Sequence, residues 1–136
     1  MIKQVEFTMG AKTRGFHLVT DEIVARLPEL PPTGLLHLLV KHTSCGLALN
    51  ENYDPDVRHD LDVVFDQLVP ENNPAFEHTL EGSDDMPSHA KSVLSGVSLT
   101  IPITNFLPNL GTWQGIYFCE YRDNGGPRKI VATIVG

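Results

Sequence analysis

Residues 34–42 read GLLHLLVKH, a nearly continuous apolar run that ends on a histidine. The run is far short of the ~20 apolar residues that cross a bilayer. It fits a central strand covered on both faces. Even positions Leu36, Leu38, Val40 and His42 then share one face, and Leu35, His37, Leu39 and Lys41 the other. A strand this apolar needs a layer on each side of it. The 136 residues, 41% of them hydrophobic, are enough to build those layers within one domain.

Other segments supply the partners. IKQVEFTM (2–9) alternates as a half-buried strand, and after a turn from Gly10 to Gly15, GFHLV resumes as a second. Thr20 or Asp21 caps a helix over about 21–30 that Pro31-Pro32 closes. GLALNE (46–51) is the next strand. Asp54 as N-cap and Pro55 at the first helical position start a helix. Its residues Val57, Leu61, Val64, Phe65 and Leu68 form one apolar stripe, and Pro70 stops it. Residues 70–87 are irregular and long enough to be functional. Pro87 opens a short helix that Gly96 ends. SLTIPI (98–103), GIYFCEYR (115–122) and KIVATIV (129–135) are strands, with DNGGP (123–127) as a hairpin signal between the last two. The sum is an α+β single domain over 1–136, a mixed β-sheet of about seven strands with two to three helices.

A net charge of -7 with scattered Lys and Arg argues against nucleic-acid and anionic-membrane partners, which demand basic patches. The N-terminal stretch has no apolar leader pattern, and two cysteines are too few for a disulfide framework. The expectation is a cytoplasmic protein with reduced thiols.

Three histidines stand where a plain core would not ask for them. His42 ends the apolar strand, His78 alternates with Phe76 and Leu80, and His89 falls in the first turn of the Pro87 helix. Meeting in one pocket with a fourth position open, they would hold zinc or another transition metal in a catalytic-type site. Any one histidine alone is more commonly a hydrogen-bonded or surface residue. His42-x-x-Cys45 resembles half a zinc knuckle or a Cys/His nucleophile, but a small buried Cys45 is the simpler reading. Asp56, Asp60, Asp62 and Asp66 read as a solvated helix face. Glu51 and Asp54, beside Asn50 and Asn52, are better site candidates. EGSDD (81–85) is an acidic turn or a hard-cation site, the turn favoured. Glu120 shares a face with Ile116 and Phe118, so its carboxylate needs a partner. Arg122 or Arg128 could supply it, or clamp a phosphate. Trp113 is a core anchor or a wall against a planar ligand, and Gln114 offers a donor and an acceptor.

Taken together, HTSCGLALNENYDPDVRHDL, HTLEGSDDMPSHAKS, SLTIPI, LGTWQGIYFCEYRD and GGPRKIV resemble the YjbQ family of secondary thiamine-phosphate synthases, in order and over essentially the whole chain. The resemblance implies an α+β homotrimer with its site near subunit boundaries. It implies a metal site of His42, His78 and His89, and places Asn50, Glu51, Asp54, Asp56, Glu120 and Arg128 in one polar site. The implied activity joins a hydroxymethylpyrimidine diphosphate to a thiazole phosphate and releases pyrophosphate. Glu51, Glu120 and Arg128 would then be catalytic, and Asn50, Trp113 and Gln114 substrate-binding. Magnesium is possible with a diphosphate substrate, but three imidazoles suit zinc, iron or nickel better. A metal-dependent hydrolase, or a non-enzymatic trimer binding a metal or phosphorylated metabolite, are the rival readings. Cys45 stands where a small residue such as Ala is usual, and Phe106 where a Gly is expected.

Overall fold

The apolar run becomes strand β3 (Thr33–Val40) in the computed structural model, which describes residues 1–136. Only its even face is sealed: Leu36, Leu38 and Val40 are buried, while Leu35 and Leu39 are exposed. The reason lies in the layering. β3 is the middle strand of a five-stranded sheet ordered β1 (Ile2–Met9), β8 (Arg128–Val135), β3, β5 (Ser98–Thr104), β6 (Leu107–Pro108). A three-stranded sheet, ordered β2 (Gly15–Leu18), β7 (Gln114–Glu120), β4 (Cys45–Glu51), covers one face of it. The other face carries no layer in the protomer.

Every strand pair is antiparallel, in two sheets, where the sequence suggests one mixed sheet. The α+β class and single domain stand. Between the sheets lies the main core, including Phe7, Leu36, Leu38, Leu47, Ile101, Phe118 and Ile130. A smaller cluster of Phe16, Tyr117, Cys119 and Tyr121 lies on the other face of β7, under Leu61 and Phe65.

Three helices complete the fold: α1 (Thr20–Val24), α2 (Pro55–Leu68) and α3 (Asp85–Ser95). None is long and apolar enough to cross a membrane. The first is shorter than the expected 21–30. α2 begins as read from sequence, with Asp54 accepting from the Asp56 N–H at 2.9 Å and Pro55 in the first turn. Its stripe is only partly used: Leu61 and Phe65 pack inward, but Val64 and Leu68 are exposed. Asp66 does not belong to a solvated face. It accepts from Arg14 at 2.7 Å and from Lys91, which is 1% exposed, at 2.6 Å.

DNGGP is no hairpin, because β7 and β8 lie in different sheets. It carries the chain from one sheet to the other around a buried ion pair. Glu120 on β7 and Arg128 on β8 meet through Nε–Oε1 at 2.9 Å and Nη2–Oε2 at 2.5 Å, and Arg128 also donates to Ser44 Oγ at 2.9 Å. A Cβ at Gly125 would lie 2.3 Å from Glu120 Oε1, so only glycine lets the crossover pass this close.

A hairpin does occur where none is expected. Residues Asn105 and Phe106 form a two-residue turn between β5 and β6, with φ of 50° and 67°. That geometry is the one for which Asn-Gly is preferred.

This frame sets two stability expectations. The left-handed backbone costs a residue with a Cβ about 1–2 kcal/mol, and glycine's extra unfolded freedom returns about 0.4–1 kcal/mol. Phe106→Gly should therefore stabilise by about 0.5–1 kcal/mol in denaturant titration. An unchanged or lower midpoint would show that the exposed Phe106 ring has another role. Glu120→Gln leaves Arg128 buried and unpaired, and should cost about 3–5 kcal/mol. A loss below about 1 kcal/mol would mean the pair does not clasp the sheets.

Candidate metal centre

α3 brings two site residues together by helical spacing alone. Asp85 and His89 are four residues apart and so share a face. The irregular segment before the helix adds His78. Asp85 Oδ2 lies 2.5 Å from His78 Nε2 and 3.2 Å from His89 Nε2. The three donor atoms all lie within 4.8 Å of one another.

Asp85 and His89 are each oriented from behind. Asp85 is nearly inaccessible, and its other oxygen, Oδ1, accepts from Arg122 Nη1 at 2.5 Å. Arg122 also donates through Nε to Asp84 Oδ2 at 2.8 Å and through Nη2 to the Glu81 carbonyl at 2.9 Å. His89 Nδ1 is 2.9 Å from the Thr43 carbonyl. A carbonyl only accepts, so Nδ1 carries the proton and Nε2 faces Asp85. Such a backbone-anchored tautomer is the usual support of a metal-ligating histidine.

Burial alone would raise the Asp85 carboxyl, but the His78 hydrogen bond and the charges of His89 and Arg122 outweigh it and hold the group below its ordinary value. Asp84 is likewise held low: burial opposes it, and the Asp123 N–H and the Arg122 guanidinium prevail.

Two cavities flank the cluster. A cleft of about 440 Å³ is lined by His42, Thr43, His89, Ser92, Val93 and Val97, among others. A smaller one of about 150 Å³ is lined by Asn72, Asn73, Phe76, His78, Thr79 and Ser83, among others. His78 and His89 thus face separate openings with Asp85 between them.

Of the three expected histidines, the structure brings two together. His78 and His89 converge, though His78 sits half-exposed in the irregular segment rather than pointing inward, and Leu80 beside it is fully exposed. His42 stays outside the cluster. Its Nε2 accepts the Lys129 N–H at 2.8 Å, and it shares the larger cleft with His89. Burial, and then the Arg128 cation, hold His42 below its ordinary pKa.

The roles of Asp85, Asp84 and Arg122 escape the sequence reading. The Asp85–His89 spacing was the available signal, hidden because EGSDD looks like a turn. Cys45 and Cys119 are buried, which pushes both thiols up to about 12 and removes them as nucleophiles or metal ligands near neutrality.

The polar site expected around His42 is split. Glu120 and Arg128 saturate one another inside the fold. Asn50, Glu51, Trp113 and Gln114 line a different cleft, at the far end of β4 and β7. The length of β4, Cys45 to Glu51, separates that end from Ser44 and Glu120, which is about 20 Å at the rise of an extended chain. Trp113 is exposed there rather than in the core, edge-to-face with Tyr53.

A family model described as "UPF0047 protein YjbQ-like" matches residues 3–136. The chain belongs to the YjbQ-like UPF0047 family. UPF0047 protein YjbQ of Salmonella typhimurium is 56% identical over 135 residues, which cover 98% of this chain and 97% of that one. The YjbQ protein of Escherichia coli O157:H7 is 53% identical over the same shares of each chain. Among solved structures, a conserved hypothetical protein of Thermus thermophilus is 34% identical with a TM-score of 0.81, covering 93% of this chain and 97% of that one. A YbjQ-like protein of unknown function from Sulfolobus solfataricus, 18% identical, shares the fold at a TM-score of 0.84 over 100% of this chain and 98% of that one.

The Asp84 environment sets a pH expectation for this YjbQ-like chain. Because the folded carboxyl is held low, its stabilisation is present above the unfolded value near 3.9 and is lost as pH falls through the folded one. Asp84→Asn should lower stability at pH 7 by about 1–3 kcal/mol. The variant should also lose less stability than the parent as pH falls below the unfolded value. Parallel acid limbs in thermal melts would contradict the assignment.

Proposed function

We propose that this YjbQ-like protein is a metal-dependent enzyme acting on a small phosphorylated metabolite in the His42–His89 cleft. The observation that carries the reading is the convergence of two imidazole nitrogens and one buried, Arg-anchored carboxylate. That donor set suits zinc or another divalent transition metal, whereas magnesium prefers oxygen ligands and water. When bound, the ion supplies Lewis-acid polarisation and lowers the pKa of water.

The chain's own groups do the rest. Arg122 and the Thr43 carbonyl fix the donors before anything binds, which removes a reorganisation cost. Val93 and Val97 give the cleft an apolar wall. His42 accepts from Lys129 N–H through Nε2, so its Nδ1–H is left as a proton donor at the cleft. Beside the effect of burial, Arg128, Lys129 and Lys41 act to lower the His42 pKa and Glu120 to raise it, which leaves a net positive surrounding within an acidic chain. Such a field favours an anionic substrate.

A thiamine-phosphate synthase-type coupling is the second reading, supported by the family resemblance and by that same field. Against it, both Arg forks near the site are engaged by carboxylates, and Asn50, Trp113 and Gln114 lie remote from the cleft within one protomer. The coupling would need a second protomer to bring an aromatic wall to the histidines. A homotrimer is part of the proposal. It is supported by the uncovered sheet face, where Ile2, Leu35, Leu39 and Val135 are exposed.

The test is turnover by protein loaded with zinc, cobalt, manganese or magnesium. Substrates are a phosphomonoester panel and the paired pyrimidine diphosphate and thiazole phosphate. His89→Ala removes a donor and should lose metal affinity by more than the roughly 10–100-fold that loss of an outer-shell partner costs, and turnover at least as much, with melting temperature and assembly retained. Phosphate release from single esters assigns hydrolysis; pyrophosphate release only with both halves assigns coupling. Equal turnover by the variant would overturn the reading, and metal binding without any turnover would leave a binding protein.

A further inference from the structure

One asparagine–glycine step occurs in the chain, Asn124-Gly125; the other six asparagines each precede a larger residue. The step lies in the crossover from β7 to β8. Asn124 is exposed and Gly125 partly so, and both border a cleft of about 380 Å³ that Ala11, Lys12 and Thr13 also line. The Asn124 side chain makes no hydrogen bond, and the Gly125 N–H makes none of ordinary geometry.

The chain is held on both sides of this step. Before it, the Asp123 N–H donates to Asp84 Oδ2 at 3.0 Å and Asp123 Oδ1 accepts from Arg14 at 3.2 Å. After it, Pro127 has its φ fixed by its ring and Arg128 begins β8. Gly125 itself passes against the buried ion pair. A Cβ there would meet Glu120 Oε1 at 2.3 Å and Arg128 Nη2 at 2.7 Å. The crossover has no slack on that side.

An exposed, unbonded Asn-Gly step carries its own chemistry. The Gly125 nitrogen and the Asn124 side-chain carbonyl carbon are tethered so that their reaction closes a five-membered ring, a unimolecular step. Glycine has no Cβ to shield the attacking nitrogen. Solvent base removes the Gly125 N–H proton, and the nitrogen forms a bond to Asn124 Cγ. The Cγ–Nδ2 bond breaks, and Nδ2 leaves as ammonia with a proton returned from solvent. Water then opens the succinimide at either carbonyl. Breaking the new N–Cγ bond leaves an aspartyl residue. Breaking the original backbone C–N bond leaves an isoaspartyl residue, whose main chain runs through Cβ and Cγ and is one atom longer.

We propose that Asn124-Gly125 is a self-modifying site, whose conversion in the folded protein to isoaspartyl and aspartyl forms loosens the Glu120–Arg128 clasp. The lengthened chain forces Gly125 onto the pair or pulls Asp123 away from Asp84. Its new carboxylate adds negative charge next to Gly125, in a chain already at -7. The effect reaches the histidines through shared neighbours. Ser44, which accepts from Arg128, adjoins the Thr43 carbonyl that orients His89, and Lys129 donates to His42. The modification does not depend on what the histidines bind.

The full-length, assembled protein and its Asn124→Gln variant are aged at physiological temperature, at neutral and at mildly alkaline pH. Trypsin then releases Asp123–Arg128 as one peptide for mass spectrometry, and a carboxyl methyltransferase specific for isoaspartate labels the lengthened form. Ammonia loss at Asn124 should be at least about tenfold faster than at any other asparagine, and faster still at the higher pH. Aged parent protein should melt at least about 3 °C below fresh protein. The Asn124→Gln variant, whose side chain touches nothing, should melt with the fresh parent before and after ageing. Conversion at Asn124 no faster than elsewhere, or only after unfolding in urea, would overturn the proposal. So would an aged parent that melts with the fresh one, or an equal loss of stability in the variant.

Discussion

The Glu120–Arg128 pair is the joint on which the two sheets turn. It sits between β7 in the small sheet and β8 in the large one, with Glu120 fully buried and Arg128 5% exposed. Two charges taken out of water are tolerable only where each is matched by the other and by further hydrogen bonds. Here the bidentate fork, the Ser44 hydroxyl and the Arg122 N–H onto Glu120 Oε2 provide that match. The same residues anchor the end of the molecule that carries the histidines. Ser44 precedes β4 and follows Thr43, whose carbonyl orients His89; Lys129, next to Arg128, donates to His42. A clasp that joins the layers thus also sets the positions of two of the three histidines.

A second network holds the remaining one. Arg14, just before β2, reaches Asp66 on α2, Glu71 in the irregular segment and Asp123 in the crossover. Glu71 accepts from Ser83, and Asp66 accepts from the buried Lys91 of α3. The segment carrying His78 is therefore tied to α2, α3 and β2 by charged hydrogen bonds although it has no secondary structure of its own. Paired charges replace an apolar core there, since α2 buries only part of its stripe. They bring an irregular stretch of sequence to the fixed geometry a ligand cluster needs.

Local signals in the sequence translate well where one element decides the outcome. The Asp54-Pro55 start of α2, the Gly96 stop of α3 and the inward parity of Leu36, Leu38 and Val40 follow from caps, φ preference and a period of two. What sequence cannot supply is which layer an element meets. Leu35 and Leu39 suggest a second covering layer, but that face is left open in the protomer. Gly125 and Gly126 suggest a hairpin because glycine is equally at home in tight turns and in close approaches to a buried side chain. In the site, His78 and His89 were legible as types. Asp85 was not, because an acid in an acidic run gives no sign of burial until α3 and Arg122 are placed around it. His42 and NENYD are close in sequence, but a strand between Cys45 and Glu51 carries them to opposite ends of the small sheet.

The central claim is that His78, Asp85 and His89 together hold a metal. Anomalous diffraction collected on either side of the zinc absorption edge, from crystals of zinc-equilibrated protein, tests it most directly. The account predicts one strong difference peak per chain, within coordination distance, about 2.0–2.2 Å, of His78 Nε2, His89 Nε2 and an Asp85 carboxylate oxygen. No peak there, or a peak held by His42 without Asp85, would contradict it.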